Sequence, residues 1–432
     1  MSSNTFHILK KKAFFPFFLT QFFGAFNDNA FKFAMLTLIS YHSGISQVQS
    51  ERYQALAGLL FILPFFLFSA TAGQLADKFD QAKIIRVIKL FEIVLVFIGG
   101  IAFYYGMTWL LMLVLTGMGV HSTFFGPIKY SILPNLLQRQ LILGATALVE
   151  ASTFMAILLG TLAGTLTIGG VRAGSYVVTI VIGGVAIAGF LSSCFIPQTF
   201  PQTTNWPMDW NLLRATKSMI KATLANAKLA PAIFVISWFW LIGAVILTKL
   251  PDYTNYVLRG DSTVFAVFLA LFSIGIATGS LIINSFLSGK NSLRFVPHAM
   301  VFMSFFIGDL YWVSPDNLSN LPLESITQFF NQSLHCRIAM DLFLLALSGG
   351  VFVVPLYTFL QLVSDGRVRS QTIAANNIIN ALFIVAGMGL VSLLLYFRVA
   401  IVQVFLMLAL LNLVVVVFWV LFYKNTERIN FD

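Results

Sequence analysis

The chain has 432 residues, of which 58% are apolar, 15% aromatic and only 10% charged, and its mean hydropathy is +0.88. That composition excludes an ordinary soluble domain, in which about a quarter of the residues carry charge. The formal charge of +10 lies in short basic clusters between apolar runs, not on one continuous face, which argues against a nucleic-acid partner.

In chain order, apolar runs of about 20 residues, the length that crosses a hydrocarbon core, fall at 14–41, 53–76, 84–105, 107–127, 141–169, 175–197, 229–250, 262–287, 295–313, 337–363, 371–396 and 400–423. The expected fold is an all-α polytopic membrane protein with twelve transmembrane helices and both termini on one face. Placing that face in the cytoplasm gives its loops and tails eighteen basic residues, Lys89, Lys290 and Arg428 among them. The other face receives six: Arg52, Arg172, Lys249, Arg259, Arg337 and Arg398. The imbalance follows the positive-inside rule. The N-terminal cluster Lys10 to Lys12 before an apolar run has the look of a signal peptide, but that run is too long and is broken by Asn27, Asp28 and Asn29.

Within the first span, QFFGAFNDNAFKFAMLTL, Asp28 and Lys32 sit one helical turn apart, with Asn29 beside them. An unpaired carboxylate or ammonium at a bilayer centre costs roughly 2.5–3.5 kcal/mol on insertion scales, so such residues face a bundle interior or a wet cavity. Two readings follow: a neutralised pair that holds helices together, or a site for polar cargo.

The second span ends in Gly73-Gln-Leu-Ala-Asp77-Lys78-Phe-Asp80-Gln-Ala-Lys83. Gly73 permits close helix approach, Asp77 suits the N-terminal end of a neighbouring helix, and the lysines suit a wet face. Between Pro197 and Lys228 the sequence turns polar, with Pro201 and Pro207 and then a basic amphipathic stretch, NLLRATKSMIKATLANAK, expected as a surface helix. Three parts are expected: a first six-helix half over 1–198, a linker over 199–228 and a second half over 229–432. Internal similarity supports duplication, since Pro127 and Arg139 recur as Pro355 and Arg367 at an offset of 228 residues. Gly160-xxx-Gly164 and Gly275-xxx-Gly279 form small-residue grooves, read either as static packing or as a seam that moves.

The Gly73–Lys83 segment resembles the loop motif between the second and third helices of the major facilitator superfamily, with Asp80 and Gln81 departing from its glycine-basic step. Within that superfamily the chain resembles the bacterial lysophospholipid transporters, including those fused to acyltransferases. QFFGAFNDNAFKFA from Gln21, GPIKYSILPNLL from Gly126, LVEASTFMAILLGTLAG from Leu148, SWFWLIGAVILTKLPDYT from Ser237 and GGVFVVPLYTFLQ from Gly349 carry the likeness. The resemblance implies a flippase that moves lysophospholipids such as lysophosphatidylethanolamine from the outer to the inner leaflet of the bacterial inner membrane by alternating access. It also implies a separate acyltransferase as partner, a monomer among membrane lipids, and a rolling of the fifth and eighth spans past each other.

On this reading Asp28, Asn29 and Lys32 meet the head group, Lys129 attracts the phosphate, Glu150 pairs with Lys129 or with the amine, and Asn377 lines the path. Gly73, Asp77, Lys78, Arg139 and Arg367 gate it. Each has a structural alternative: Lys129 as a snorkelling helix-end lysine, Glu150 as a packing partner of Arg139 or Lys129, and Asn376, Asn377 and Asn380 as interhelical hydrogen-bonders. No cofactor or metal is expected. A Walker A loop is absent, since Gly289-Lys290 is followed by Asn291. Cys194 and Cys336 offer neither a disulfide framework nor metal-ligand spacing. No histidine has the His-x-x-x-x-Asp spacing of a membrane acyltransferase, so an enzyme is not expected. The competing function is a major facilitator carrier of drugs or other small solutes.

Overall fold

The computed structural model describes residues 5–42, 47–168, 171–200, 207–287, 292–315 and 322–427. Pro201, Gly289, Lys290 and Arg428 lie outside them. Among the described residues there are twelve long helices: α1 Phe15–Thr37, α2 Gln47–Lys78, α3 Gln81–Tyr105, α4 Thr108–Ser131, α5 Ile142–Thr167, α6 Val171–Cys194, α7 Leu229–Asp252, α8 Ser262–Leu287, α9 Val296–Val313, α10 Ser333–Val363, α11 Arg369–Tyr396 and α12 Ile401–Glu427. Ten are long and apolar enough to cross a membrane by length and composition alone. The other two, α1 and α3, hold Asp28 and Lys32, and Lys89 and Glu92.

Local chemistry sets the helix ends. Pro16 opens α1, where a missing N–H costs nothing. Asp80 caps α3, accepting from the Ala82 N–H at 3.0 Å, and Gly106 ends it with φ of 65°, a conformation that glycine adopts without strain. Pro64, Pro127 and Pro355 lie inside α2, α4 and α10.

The chain forms two compact units. One comprises the residues up to Ala225 together with Leu360–Ile378; the other comprises Asn226–Phe359 and the residues from Ile379 onward. In the first, α1 packs on α5 and α6, α2 on α4, and α3 on α4 and α6. Phe31, Met35, Leu95, Phe103, Leu115 and Ile182 join one apolar core, with the Phe31 and Phe103 rings edge to face at 5.3 Å. In the second, α9 packs on α12, and α7 on α8 and α12. Arg337 of α10 makes a bidentate ion pair with Asp309 of α9, at 2.9 and 2.7 Å.

Burial is inverted relative to a soluble protein. On α3, Phe97 is 69% exposed while Lys89 and Glu92 are 1% and 0% exposed. Apolar residues outside and charges inside match a hydrocarbon solvent.

One expectation needs correction. Lys89 is not a loop residue marking topology: it lies within α3 and is buried against Glu92. The two glycine grooves are each filled inside their own unit, in keeping with the static packing reading. A Cβ at Gly160 or Gly164 would run into the Phe26 and Ala30 carbonyls of α1, and at Gly275 would come within 2.6 Å of the Phe343 carbonyl of α10. The basic stretch is helical over Leu212–Ala225, with Arg214, Lys217 and Lys221 exposed and Ala215 and Met219 laid against Ala70 of α2 and Ala374, Ala375 and Ile378 of α11.

Candidate functional site

The first unit encloses a polar cluster drawn from α1, α3 and α4. Asp28 and Lys32 share a helix face, yet they do not neutralise each other. Asp28 accepts a short hydrogen bond from Ser122 of α4 and lies 3.8 Å from His121 Nδ1, whereas the Lys32 ammonium lies over the Phe33 and Phe61 rings at 5.8 and 5.9 Å. Asn29 donates to the carbonyl of Ala25, so its amide N–H is spent on its own helix. The preceding Asn27 is the inward-facing asparagine: it donates to Glu92 Oε1 at 2.8 Å and to the Ile182 carbonyl at 3.0 Å.

Glu92 is the centre of the cluster. Its Oε2 lies 2.6 Å from Lys89 Nζ and 3.2 Å from His121 Nε2. Sequence reasoning passed over Lys89, Glu92 and His121 as site residues. The usable signal was the i, i+3 spacing of Lys89 and Glu92 inside an otherwise apolar span, which puts opposite charges on one helix face.

A second polar group joins α4 to α5. Lys129 Nζ lies 3.9 Å from Glu150 Oε1, and Tyr130 donates a short hydrogen bond to the same oxygen. Glu150 is fully buried, while Lys129 is partly exposed, with its ammonium 5.0 Å from the Tyr130 ring. Glu150 Oε2 has no hydrogen-bond partner among the described residues. On the same helix, Ser152 and Thr153 bind the Gln21 amide of α1, and Thr146 accepts from Gln361 at 2.9 Å. Asn377 of α11 approaches Gly126, where a Cβ would lie 2.9 Å from the Asn377 amide nitrogen. The adjacent Asn376 is fully buried, with no hydrogen-bond partner for either side-chain atom among the described residues, whereas Asn380, in the second unit, accepts from Ser237 at 2.7 Å.

The α2–α3 turn forms a third group. Asp77 accepts from the backbone N–H groups of Ser370 and Gln371, at 2.8 and 3.1 Å, and from the Gln371 side chain at 3.2 Å. Its carboxylate therefore sits on the N-terminal turn of α11, where the helix leaves N–H groups unsatisfied and the dipole favours an anion. Gly73 makes this approach possible, because a Cβ there would lie 2.9 Å from Gln371 Cα.

The two residues that depart from the family loop have definite tasks. Asp80 accepts from Thr199 N–H and hydroxyl, both at 2.9 Å, tying the start of α3 to the segment that follows α6. Gln81 donates to Ser131 at 3.0 Å and to Ser370 at 3.2 Å, and accepts from Asn135 at 3.1 Å. Lys78 is half-buried beside Phe79. Arg139 is exposed. Arg367 is also exposed and donates to Asp365, holding that carboxyl below its usual range and its own guanidinium above.

No protein-family model matches the chain. Among curated proteins it is 27% identical over 350 residues to the lysophospholipid transporter LplT of Escherichia coli O157:H7, covering 79% of this chain and 78% of that one. The same identity and coverage hold for the protein of that name from Escherichia coli K12. Among solved structures it superposes on the human organic anion transporter MFSD10 with a TM-score of 0.75 at 12% identity, over 94% of this chain and 99% of the other. It also superposes on the major facilitator superfamily transporter FucP, in the outward conformation, with a TM-score of 0.67 at 13% identity, over 94% and 98%. The chain thus has the twelve-helix major facilitator fold and is a homologue, in sequence, of the bacterial lysophospholipid transporters.

Proposed function

We propose that the protein transports lysophospholipids such as lysophosphatidylethanolamine across the bacterial inner membrane, from the outer to the inner leaflet, by alternating access. The observation that carries this reading is the likeness to lysophospholipid transporters over 350 residues, most of both chains. The chemistry of the first unit fits such a cargo. A lysophospholipid needs polar partners for one head group, while its single acyl chain stays against apolar walls or lipid. Asp28 offers a carboxylate to a head-group ammonium, and Lys129 offers an ammonium to a phosphate. The Lys129–Glu150 pair opens when phosphate takes Glu150's place. Asp77 on the α11 N-terminus gates the path by releasing and remaking its three bonds.

Uptake is downhill, drawn by a separate acyltransferase that consumes the lipid on the inner leaflet. Both termini then lie in the cytoplasm, and the basic loops keep that orientation. The test is uptake by reconstituted vesicles of labelled lysophosphatidylethanolamine beside an unrelated cationic drug. Saturable uptake of the lipid alone is expected; uptake of the drug alone contradicts the reading and favours a small-solute carrier.

A further inference from the structure

The helix Leu212–Ala225, between α6 and α7 in the chain, has two sides of opposite character. Its inner side is occupied. Ala215 and Met219 pack with Ala70 of α2 and with Ala374, Ala375 and Ile378 of α11, and Ile220 lies against the same cluster. Just before the helix, Gln74 of α2 accepts from the Asp209 N–H at 2.8 Å and donates to the Asp209 carbonyl at 3.3 Å. Ala70 and Gln74 belong to the last turns of α2, which is long and apolar enough to cross a membrane and ends at Lys78. Ala70 lies roughly 12 Å along the axis from that end. The Leu212–Ala225 helix is thereby pinned at the depth where a spanning helix meets water.

The outer side is apolar and basic together. Trp210, Leu213 and Leu224 are 68%, 82% and 44% exposed. Arg214, Lys217 and Lys221 are exposed as well. At 3.6 residues per turn, Leu224, Lys217, Lys221 and Arg214 follow Leu213 within roughly 100° around the helix, so leucines edge a basic stripe. Arg214 is spent on Asp209, donating from Nε at 2.7 Å and from Nη2 at 2.8 Å. Among the described residues no carboxylate pairs with Lys217 or Lys221.

A basic face that only met water would gain nothing from a tryptophan and two leucines beside it. Large apolar side chains flanking lysines suit a lipid interface, where the apolar groups enter the acyl boundary and the ammoniums reach phosphates. The depth set by α2 puts that interface, and not a soluble acidic partner, opposite the stripe.

We infer that the outer face of this helix is a binding site for anionic phospholipid of the surrounding bilayer, with Lys217 and Lys221 on the phosphates and Trp210, Leu213 and Leu224 in the apolar boundary. The site uses neither the cargo nor the residues proposed to hold it, so it goes beyond lysophospholipid transport and does not depend on it. Because the helix rests on both α2 and α11, bound lipid braces the two elements that Asp77 joins.

The experiment is titration of the purified full-length protein, in neutral detergent, with fluorescent phosphatidylglycerol and with phosphatidylcholine bearing the same chains and label. A preference of about tenfold or more for the anionic lipid is expected at low salt, shrinking at high salt as the charges are screened. One lysine near an anionic surface is worth about fivefold in affinity, so Lys217→Gln combined with Lys221→Gln should lose about 25-fold for phosphatidylglycerol. Lys217→Arg combined with Lys221→Arg should retain binding, and Leu213→Ser should weaken it. Phosphatidylglycerol should raise the melting temperature of the wild type but not of the glutamine variant, which should melt like the wild type in lipid-free detergent because both lysines are exposed.

Equal binding of the two lipids by the wild type overturns the site, as does a glutamine variant that binds phosphatidylglycerol as tightly as the wild type. Displacement of the lipid by millimolar inorganic phosphate, or undiminished binding by Leu213→Ser, also overturns it, since the stripe is then a solvated face that collects anions. Uptake of lysophosphatidylethanolamine is a separate measurement, and its failure would leave this site standing.

Discussion

Glu92→Gln is the substitution with the largest expected structural cost. It removes the charge of a side chain that is 0% exposed, lies 2.6 Å from Lys89 Nζ, accepts from Asn27 at 2.8 Å and faces His121 at 3.2 Å. Lys89, 1% exposed, is left without its close carboxylate. Breaking a buried pair by removing one partner costs about 3–5 kcal/mol, because the remaining charge is stranded. At about 1.4 kcal/mol per tenfold, the folded fraction falls more than a hundredfold relative to the unfolded one. Lys89→Met should cost less, because Glu92 keeps Asn27 and His121. The double variant should recover part of the Glu92→Gln loss, since the stranded ammonium has gone with its partner. Denaturant titration of the four proteins in one detergent forms a double-mutant cycle. Glu92→Gln as stable as wild type, or strictly additive single effects, would refute the buried-pair account.

Other perturbations sort by what each side chain touches. Gly164→Val should destabilise by about 1–3 kcal/mol, because its Cβ meets the Ala30 backbone of α1, while Gly243→Ala, with open space around it, should leave the melting temperature unchanged. Asp77→Ala removes the acceptor for three N–H groups at the start of α11 and should cost about 0.5–2 kcal/mol, with Asp77→Asn losing less because one amide oxygen still accepts; thermal melts of the pair separate the two. Arg214→Ala, which breaks an exposed pair with Asp209, should not shift the melting temperature measurably.

The helices were legible because hydrocarbon leaves an unambiguous mark: long apolar runs punctuated by polar turns. The Asp77 contact was legible too, since a carboxylate at that loop position has a natural partner in a helix N-terminus. Lys89 was misread because it follows Lys83 and Arg86 near a helix start, where lysines ordinarily reach water; only the helix's rotation shows that it turns inward. His121 carried no charge in any tally and stood alone in its span, so nothing in one dimension tied it to Asp28 or Glu92. A small-residue stripe says that a backbone comes close but not which one, so the spacing of Gly160 and Gly164 did not single out α1 as the neighbour. Asp80 and Gln81 looked like weakened motif positions, yet their hydrogen bonds to Thr199, Ser131 and Ser370 link segments 50 or more residues away, which spacing does not reveal.

The central claim is that the partly accessible Asp28 receives the cationic end of a single-chain lipid. Its most direct test is the initial rate of lysophosphatidylethanolamine translocation in vesicles reconstituted with equal amounts of wild type and Asp28→Asn. The account predicts a saturable wild-type rate that falls at least tenfold in the variant, a loss of about 1.4 kcal/mol or more at the head group, with protein content and melting profile preserved. Equal rates from the two proteins would contradict it.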